Sequence, residues 1–175
     1  MNSKKFNWRN WLKNENGLNN SFLFFLKKSI IKREPDSFFL SKSHLLKAEE
    51  NLDFVLFLKN NDKFHNWMIV GCYYVIYHAS LALITSKGYS SKNHLATLCT
   101  LIKCYFYAND LLSDKDVEIV AVSALKREEF ECFFNAKEKR EIASYSINDT
   151  VNKQQAKELF DEMIHFLNKT REILL

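Results

Sequence analysis

The side chains that can hold a phosphate or move a proton lie at two places in this 175-residue chain. Lys92 and His94 flank the predicted start of a helix, where free backbone N–H groups attract anions. Arg140 lies near the predicted end of a long charged helix, and Tyr145 follows it five positions later. Because a guanidinium can hold a phosphate by two parallel hydrogen bonds, we predict an anion or RNA site formed by Lys92, His94 and Arg140.

Each of these residues also has a purely structural interpretation. A turn histidine commonly caps a helix, and an arginine near a helix C-terminus is stabilised by the dipole or by pairing with Glu138 or Glu141. His78, inside an apolar segment, is interpreted as a core histidine bonded to a tyrosine or a backbone carbonyl. The remaining histidines lack ligand spacing, so neither a metal site nor a cofactor is predicted. They are His44, His65 and His165.

A central helix of unusually apolar sequence must position these residues. From Trp67 to Ser86, 20 consecutive positions carry no Asp, Glu, Lys or Arg, and Gly88 supplies the left-handed residue that follows many helices. The segment is long enough to span a membrane, but its Tyr, His, Ser and Thr side chains would each need a partner at bilayer depth. We therefore expect the buried centre of a bundle, over about residues 63–86, and no membrane span.

The composition of the whole chain favours an all-α fold. Three Gly and one Pro leave few of the turn residues that a many-stranded sheet needs, and the length suffices for one core. Apolar stripes predict further helices: from residue 36 to about 58, around 95–105, over 116–143, and from an N-cap at Asn152 to the C-terminus. This pattern is typical of an up-and-down bundle of about five helices.

Positive charge is concentrated at the N-terminal end. Residues 1–35 hold eight basic and two acidic side chains, whereas the remaining 140 residues hold 17 and 19. Leu23, Leu26 and Ile30 lie at helical spacing beside lysines, which predicts a short basic amphipathic helix. This helix either docks on the bundle through its apolar stripe or contacts RNA, a partner or a lipid surface. We expect a basic extension over 1–35 and a helical bundle over 36–175.

The cysteines indicate a reducing compartment. They form neither a Cys-x-x-Cys pair nor a zinc pattern with histidine, and they are Cys72, Cys99, Cys104 and Cys132. Plain buried or half-buried thiols are expected. The apolar run that begins at Phe22 ends at Lys27 and is too short for a secretory signal, so we expect a cytoplasmic protein.

The order of these features resembles the HEPN superfamily, in particular its small stand-alone archaeal and bacterial members. The resemblance covers roughly residues 36–175. It rests on a Tyr-Tyr-x-x-Tyr-His-Ala core at 73–79, a Lys-Gly turn at 87–88 leading to Lys92-x-His94, and an Arg-x-x-x-x-Tyr segment at 140–145 before a final amphipathic helix. The resemblance implies a helical bundle that forms a homodimer. It also implies a minimal nucleotidyltransferase as partner, since many such pairs are toxin and antitoxin.

The same resemblance assigns roles to two residues. Catalytic HEPN proteins are metal-independent ribonucleases with an Arg and, four to six residues later, a His. Arg140 matches the Arg, whereas Tyr145 stands where the His would come. A phenol with a pKa of about 10 is poorly suited to accept a 2′-hydroxyl proton near neutral pH. The resemblance therefore implies a degenerate ribonuclease motif, with Arg140 and Tyr145 as the corresponding pair, in a dimer cleft.

Three functions remain open from the sequence. The first is a binding module that associates with RNA or a nucleotide and acts with a nucleotidyltransferase partner. The second is an active ribonuclease toxin in which Tyr145, His94 or a residue of the second subunit replaces the missing base; Tyr145 would also be a candidate acceptor of AMP from the partner. The third is a plain helical scaffold, because a bundle core alone can absorb an aromatic content of 14%.

Overall fold

The computed structural model describes residues 7–123 and 149–175 and confirms the predicted all-α helical bundle. In chain order the elements are α1 (Arg9–Lys13), α2 (Glu15–Lys27), β1 (Ile31–Arg33), α3 (Ser37–Asn61), α4 (His65–Ser86), β2 (Tyr89–Ser91), α5 (His94–Leu101), α6 (residues 114–123) and α7 (Asp149–Leu174). A π-helical segment, Ile102–Tyr107, continues α5 without a break. Of the predicted site residues, Lys92 and His94 lie where α4, β2 and α5 follow one another.

Helix α4 forms the centre of the bundle and packs chiefly against α3 and α7. Its predicted end at Ser86 is confirmed, and Gly88 has the predicted left-handed conformation with φ +78°. By length and composition α4 could cross a membrane, but 78% of its most apolar 18-residue window is buried inside the bundle. Such burial fits a core helix that is apolar on nearly all sides. The expectation of no membrane span stays a prediction.

Helices α3 and α4 approach each other closely at Gly71. A Cβ atom at this position would lie 2.6 Å from Cγ2 of Val55, so the absent side chain lets the two helices touch. The predicted apolar stripe of α3 is confirmed, because Ala48, Leu52 and Val55 are all buried. The helix ends at Asn61 with Asp62 in the left-handed region. At the other end Asp36 occupies the N-cap position without making the expected side-chain cap hydrogen bond.

A short two-stranded antiparallel sheet, absent from the sequence-based prediction, pairs the segment before α3 with the segment before α5. It is here called the hairpin, although α3 and α4 separate its strands in the sequence. Strand β1 pairs with β2, and Lys32 lies opposite Ser90. The N–H of Glu34 donates to the carbonyl of Gly88 at 2.9 Å, which closes the hairpin beside the end of α4. The sequence alone predicts a polar turn over residues 89–92; instead, residues 89–91 form a strand because they pair with a segment almost 60 residues earlier.

The N-terminal helices belong to the same hydrophobic core as the rest of the described chain. Trp11, Leu18 and Phe22 are buried in this core, and the indole N–H of Trp11 donates to Ser21 Oγ at 3.1 Å. The predicted apolar stripe was wrong at Leu23, which is 61% exposed. Because α2 begins at Glu15, the helix is longer than predicted and docks through residues one turn earlier. The division of the chain at residue 35 stays a prediction.

The last helix begins earlier than the sequence predicts. Helix α7 starts at Asp149, so the N-cap at Asn152 was wrong: this residue lies within the first turn. Its buried stripe is confirmed by Ala156, Leu159 and Met163. The expected helix over 116–143 begins at residue 114 and is described as far as 123; the rest of that prediction lies outside the described residues.

Three of the cysteines are free thiols, as predicted, and Cys132 lies outside the described residues. Burial raises the pKa of both Cys72 and Cys99 to about 12. Burial also raises the pKa of the half-buried Cys104 thiol. These groups are therefore protonated and weakly nucleophilic at neutral pH.

Gly71→Ala tests the close approach of α3 and α4. Alanine normally favours a helix over glycine by about 1 kcal/mol, but here its methyl group must displace Val55. Overpacking outweighs propensity, so we expect the free energy of unfolding to fall by about 1 to 2 kcal/mol. Urea denaturation with a constant m-value measures the change.

A double-mutant cycle supplies the control. In a Val55→Ala background, the atom that the new methyl group would meet is gone, so Gly71→Ala should be neutral or stabilising. The same loss of stability in both backgrounds would contradict the proposed contact.

Candidate functional site

The structure describes only part of the predicted site. Lys92 and His94 lie at the start of α5, whereas Arg140 and Tyr145 lie outside the described residues. Asn93 between them is the N-cap of α5, and its Oδ1 accepts from the N–H of Ala96 at 2.9 Å. A preformed cap thus fixes the backbone of the Lys-x-His segment. Lys92 is exposed and His94 is half-buried.

His94 packs against two tyrosines of α4. The hydroxyl oxygen of Tyr73 lies 3.1 Å from Nε2 and 3.2 Å from Nδ1 of His94, and the ring of Tyr77 meets the imidazole edge-on at a centroid distance of 4.8 Å. The tyrosines are four residues apart and stack with an interplanar angle of 12°. One helical turn of α4 therefore sets the position of the predicted anion-site histidine.

His78 pairs with His44 of α3, not with the tyrosine or carbonyl that the sequence predicted. The two Nδ1 atoms are 3.3 Å apart, so one imidazole donates and the other accepts, and the pair cannot hold two imidazolium ions. Burial lowers the pKa of His78 to about 4, and the neighbouring His44 contributes to the same shift. Burial also lowers the pKa of His44. Both rings are therefore neutral at physiological pH.

These five aromatic side chains form a continuous row across the bundle, here called the ring row. Its members are His44, His78, Tyr77, His94 and Tyr73, with neighbouring centroids between 4.8 and 5.8 Å apart. The row includes His44, for which the sequence predicted no role. The spacing of His44 within α3 gave no signal, because its partner comes from a different helix.

A cleft of about 740 Å³, here called the hairpin cleft, lies between the hairpin and the ends of α3 and α4. Its walls combine charged, polar and apolar side chains: Ser29, Ile30, Lys32, Glu34, Leu40, His44, Tyr77, Leu81, Thr85, Ser90, Ser91, Lys92 and Asn93. Within the described chain neither Lys32 nor Lys92 forms an ion pair. Lys92, which the sequence assigned to the anion site, thus lines the same cleft as Lys32, which it did not, and as two members of the ring row.

The pairing of the strands explains why both lysines border the cleft. Lys32 lies directly opposite Ser90, and residues opposite each other in an antiparallel pair share a face of the sheet. Lys92 directly follows the end of β2 at Ser91. Lys32, Ser90 and Lys92 all line the cleft.

A second cleft, of about 590 Å³, lies between α6 and α7 beside His165. Its most organised group is Asp116, which accepts from the hydroxyl and N–H of Ser113 at 2.6 and 2.8 Å and from Nε2 of His165 at 2.8 Å. Burial favours the protonated acid, but these hydrogen bonds outweigh it and hold the pKa of Asp116 below its usual value. Ser113 and Asp116 form a reciprocal cap at the start of α6, which gives the arrangement a structural role.

A metal site would need at least three suitable ligands near one point. Residues 7–123 and 149–175 contain no group of three His, Cys, Asp or Glu side chains that could hold a metal ion.

Comparison with known proteins gives one informative relative. This chain is 27% identical over 144 residues to a Methanocaldococcus jannaschii protein named "Putative toxin MJ0142", a match that covers 82% of this chain and 84% of the relative. No family model matches the sequence. No solved structure matches it either.

Titration of the histidine pair tests the ring row. Because folding lowers the pKa of His78 from 6.5 to about 4, the unfolded chain binds protons in this range that the folded chain does not. The free energy of unfolding should therefore fall as the pH drops from about 6.5 towards 4. We expect the imidazole of His78 to titrate near pH 4 by NMR.

The variant His44→Phe separates the two causes of this shift. It removes the second titrating imidazole, whose protonation would disfavour that of His78, but keeps most of the burial, so the His78 midpoint should rise and remain below 6.5. A midpoint of 6.5 in the unmodified protein would mean that the two rings do not meet as described.

Proposed function

We propose that this chain is a toxin-type protein of the HEPN kind that associates with RNA or a nucleotide and acts together with a nucleotidyltransferase partner. The observation that carries the proposal is the hairpin cleft, where Lys32 and Lys92 border neutral polar rings. The toxin relative, matched over 82% of this chain, supports the toxin-type role. Arg140 and Tyr145 complete the proposed site from the sequence resemblance alone.

The charge and polarity of the cleft favour binding over turnover. Two lysines that form no ion pair within residues 7–123 and 149–175 supply positive charge without sequence selectivity, which suits phosphate oxygens. The rings of His44 and Tyr77 in the cleft wall offer flat surfaces on which a base can stack. Because the pKa values of His44 and His78 are lowered, both imidazoles are neutral at pH 7 and have no proton to donate as a general acid.

A specific observation favours the second candidate, an active ribonuclease. His94 lies next to Lys92 and is oriented by the hydroxyl of Tyr73, the arrangement of a base held in position near an anion-binding lysine. In this alternative His94 replaces the histidine that the motif at Arg140 lacks. The RNA titration below separates the two candidates if the length of the bound RNA is followed on a gel.

A homodimer is part of the proposal, and helix α3 offers a surface for it. Phe39, Leu46 and Phe57 lie at intervals of seven and eleven residues and are 72%, 57% and 64% exposed. These intervals place them on one stripe of the helix, opposite the stripe that packs on α4. Exposed large apolar residues that share a helix face are typical of an interface between proteins.

Lys92→Ala tests the anion site in the proposed function. We expect the affinity for single-stranded RNA to fall several-fold and the salt slope of binding to shrink by about 0.7, the value for one phosphate contact. Fluorescence anisotropy over a range of salt concentrations, in the presence of a chelator, measures both quantities. Arg140→Ala should weaken binding similarly.

Lys157→Ala is the matched control, because this exposed lysine of α7 lies outside the hairpin cleft and its loss changes the net charge equally. Its affinity should match that of the unmodified protein. Equal losses for Lys92→Ala and Lys157→Ala would reduce the effect to net charge and contradict the site. Cleavage of the RNA by the unmodified protein, lost when His94 is replaced, would favour the ribonuclease instead.

Phe57→Lys tests the surface for the homodimer. The unmodified protein should have twice the 20.7 kDa mass of one chain in light scattering, and a lysine in the middle of the stripe should shift it to the monomer. Leu23→Lys, at an equally exposed position of α2, should leave the dimer intact. A monomeric unmodified protein, or a dimer that tolerates Phe57→Lys, would rule this surface out.

A further inference from the structure

The hairpin cleft also contains a buried hydroxyl group, that of Thr85. It lies in the cleft wall and its side chain is 0% exposed, yet its Oγ1 makes no hydrogen bond within the described part of the chain. A buried hydroxyl without a partner destabilises the fold, and valine would fill the same space without this cost. The neighbouring cleft is where a bound molecule could supply the missing partner.

The three charged side chains of the cleft differ in what they can recognise. Lys32 and Lys92 both line the cleft and suit a phosphate group. Glu34 also lines the cleft and is half-buried; its carboxylate would repel a second phosphate but can accept from the hydroxyl groups of a ribose, as acidic residues do in dinucleotide sites. The charges of the cleft therefore fit one phosphate and one sugar at a time, as in a mononucleotide or the end of an RNA.

The rest of the wall is apolar or aromatic. Leu40, Leu81 and Ile30 join the rings of Tyr77 and His44. Nδ1 of His44 is engaged with His78, so Nε2 is the ring atom left to contact a ligand. Flat apolar walls with a few polar groups, in a cleft of about 740 Å³, have the character and size of a site for a small molecule.

We infer that the hairpin cleft binds a single nucleotide unit, with its phosphate on Lys32 and Lys92, its ribose at Glu34 and its base against Tyr77 and His44. The inference deepens the proposed function and rests on it. It adds Lys32, Glu34, His44 and Thr85 to the residues that the sequence indicated. The unit is either a free mononucleotide or the phosphorylated end of an RNA, since both offer the same chemistry.

Calorimetric titration of the full chain with AMP, inorganic phosphate and adenosine tests the inference. AMP should bind one equivalent per chain at least tenfold more tightly than phosphate or adenosine alone, because it engages both ends of the cleft. Competition by a 5′-phosphorylated RNA hexamer, but not by its unphosphorylated form, would identify the RNA end as the occupant. Absence of that competition would identify the free nucleotide. Phosphate binding as tightly as AMP would overturn the inference.

Two variants make the test independent of folding. Lys32→Ala should weaken AMP binding at least fivefold, with Lys157→Ala as the unchanged control. Thr85→Val should weaken AMP binding about threefold to tenfold, the effect of one hydrogen bond, while the melting temperature stays the same or rises. A Thr85→Val protein that binds AMP normally would remove Thr85 from the site, and a normal Lys32→Ala protein would overturn the inference.

The outcomes for RNA and for AMP separate this inference from the proposed function. If RNA binds through Lys92 but AMP does not bind, the nucleotide cleft is wrong and the proposed function stands. If neither RNA nor AMP binds, both are wrong.

Discussion

The burial of α4 on nearly all sides is the constraint on which the rest of the structure depends. An apolar helix at the centre of a bundle must find partners for each polar group that it carries. Ser80 donates to the carbonyl of Ile76 in its own helix, whereas Tyr73 and His78 reach His94 and His44 of neighbouring elements. The polar side chains of α4 therefore determine which residues of α3 and α5 are held beside it.

The hairpin adds the charges that α4 lacks. Lys32 and Lys92 are 60 positions apart in the sequence, and the antiparallel pairing of Lys32 with Ser90 brings their segments together. Gly88 makes this possible because its left-handed conformation turns the chain from the end of α4 directly into β2. The cleft thus arises at a junction where a helix stop, two short strands and a helix cap follow one another closely.

The sequence predicted what local patterns can encode. The uncharged segment and Gly88 located α4, and the apolar stripe of α3 was correct because a period of three or four residues is a local signal. The hairpin was missed because its strands are only three residues long and pair across the chain. For the same reason neither Lys32 nor His44 stood out, since the residues beside them come from distant segments. Lys92 and His94 were found because they adjoin a recognisable helix start.

The segment from Arg140 to Tyr145 lies outside the described residues, so its role rests on the sequence resemblance. The described part contributes two lysines, Glu34, the rings of His44 and Tyr77 and a buried threonine to one cleft. Burial lowers the pKa of His44, so its ring is neutral beside the charged side chains. The proposed binding of a nucleotide or RNA would use these charges together with the flat neutral rings.

Lysine acetylation followed by mass spectrometry, with and without single-stranded RNA, tests the central claim most directly. If the hairpin cleft is the site of association, RNA should protect Lys32 and Lys92 from acetylation while Lys157 reacts as in the free protein. If both cleft lysines stay reactive when RNA is present, or if RNA protects all exposed lysines equally, the account is contradicted.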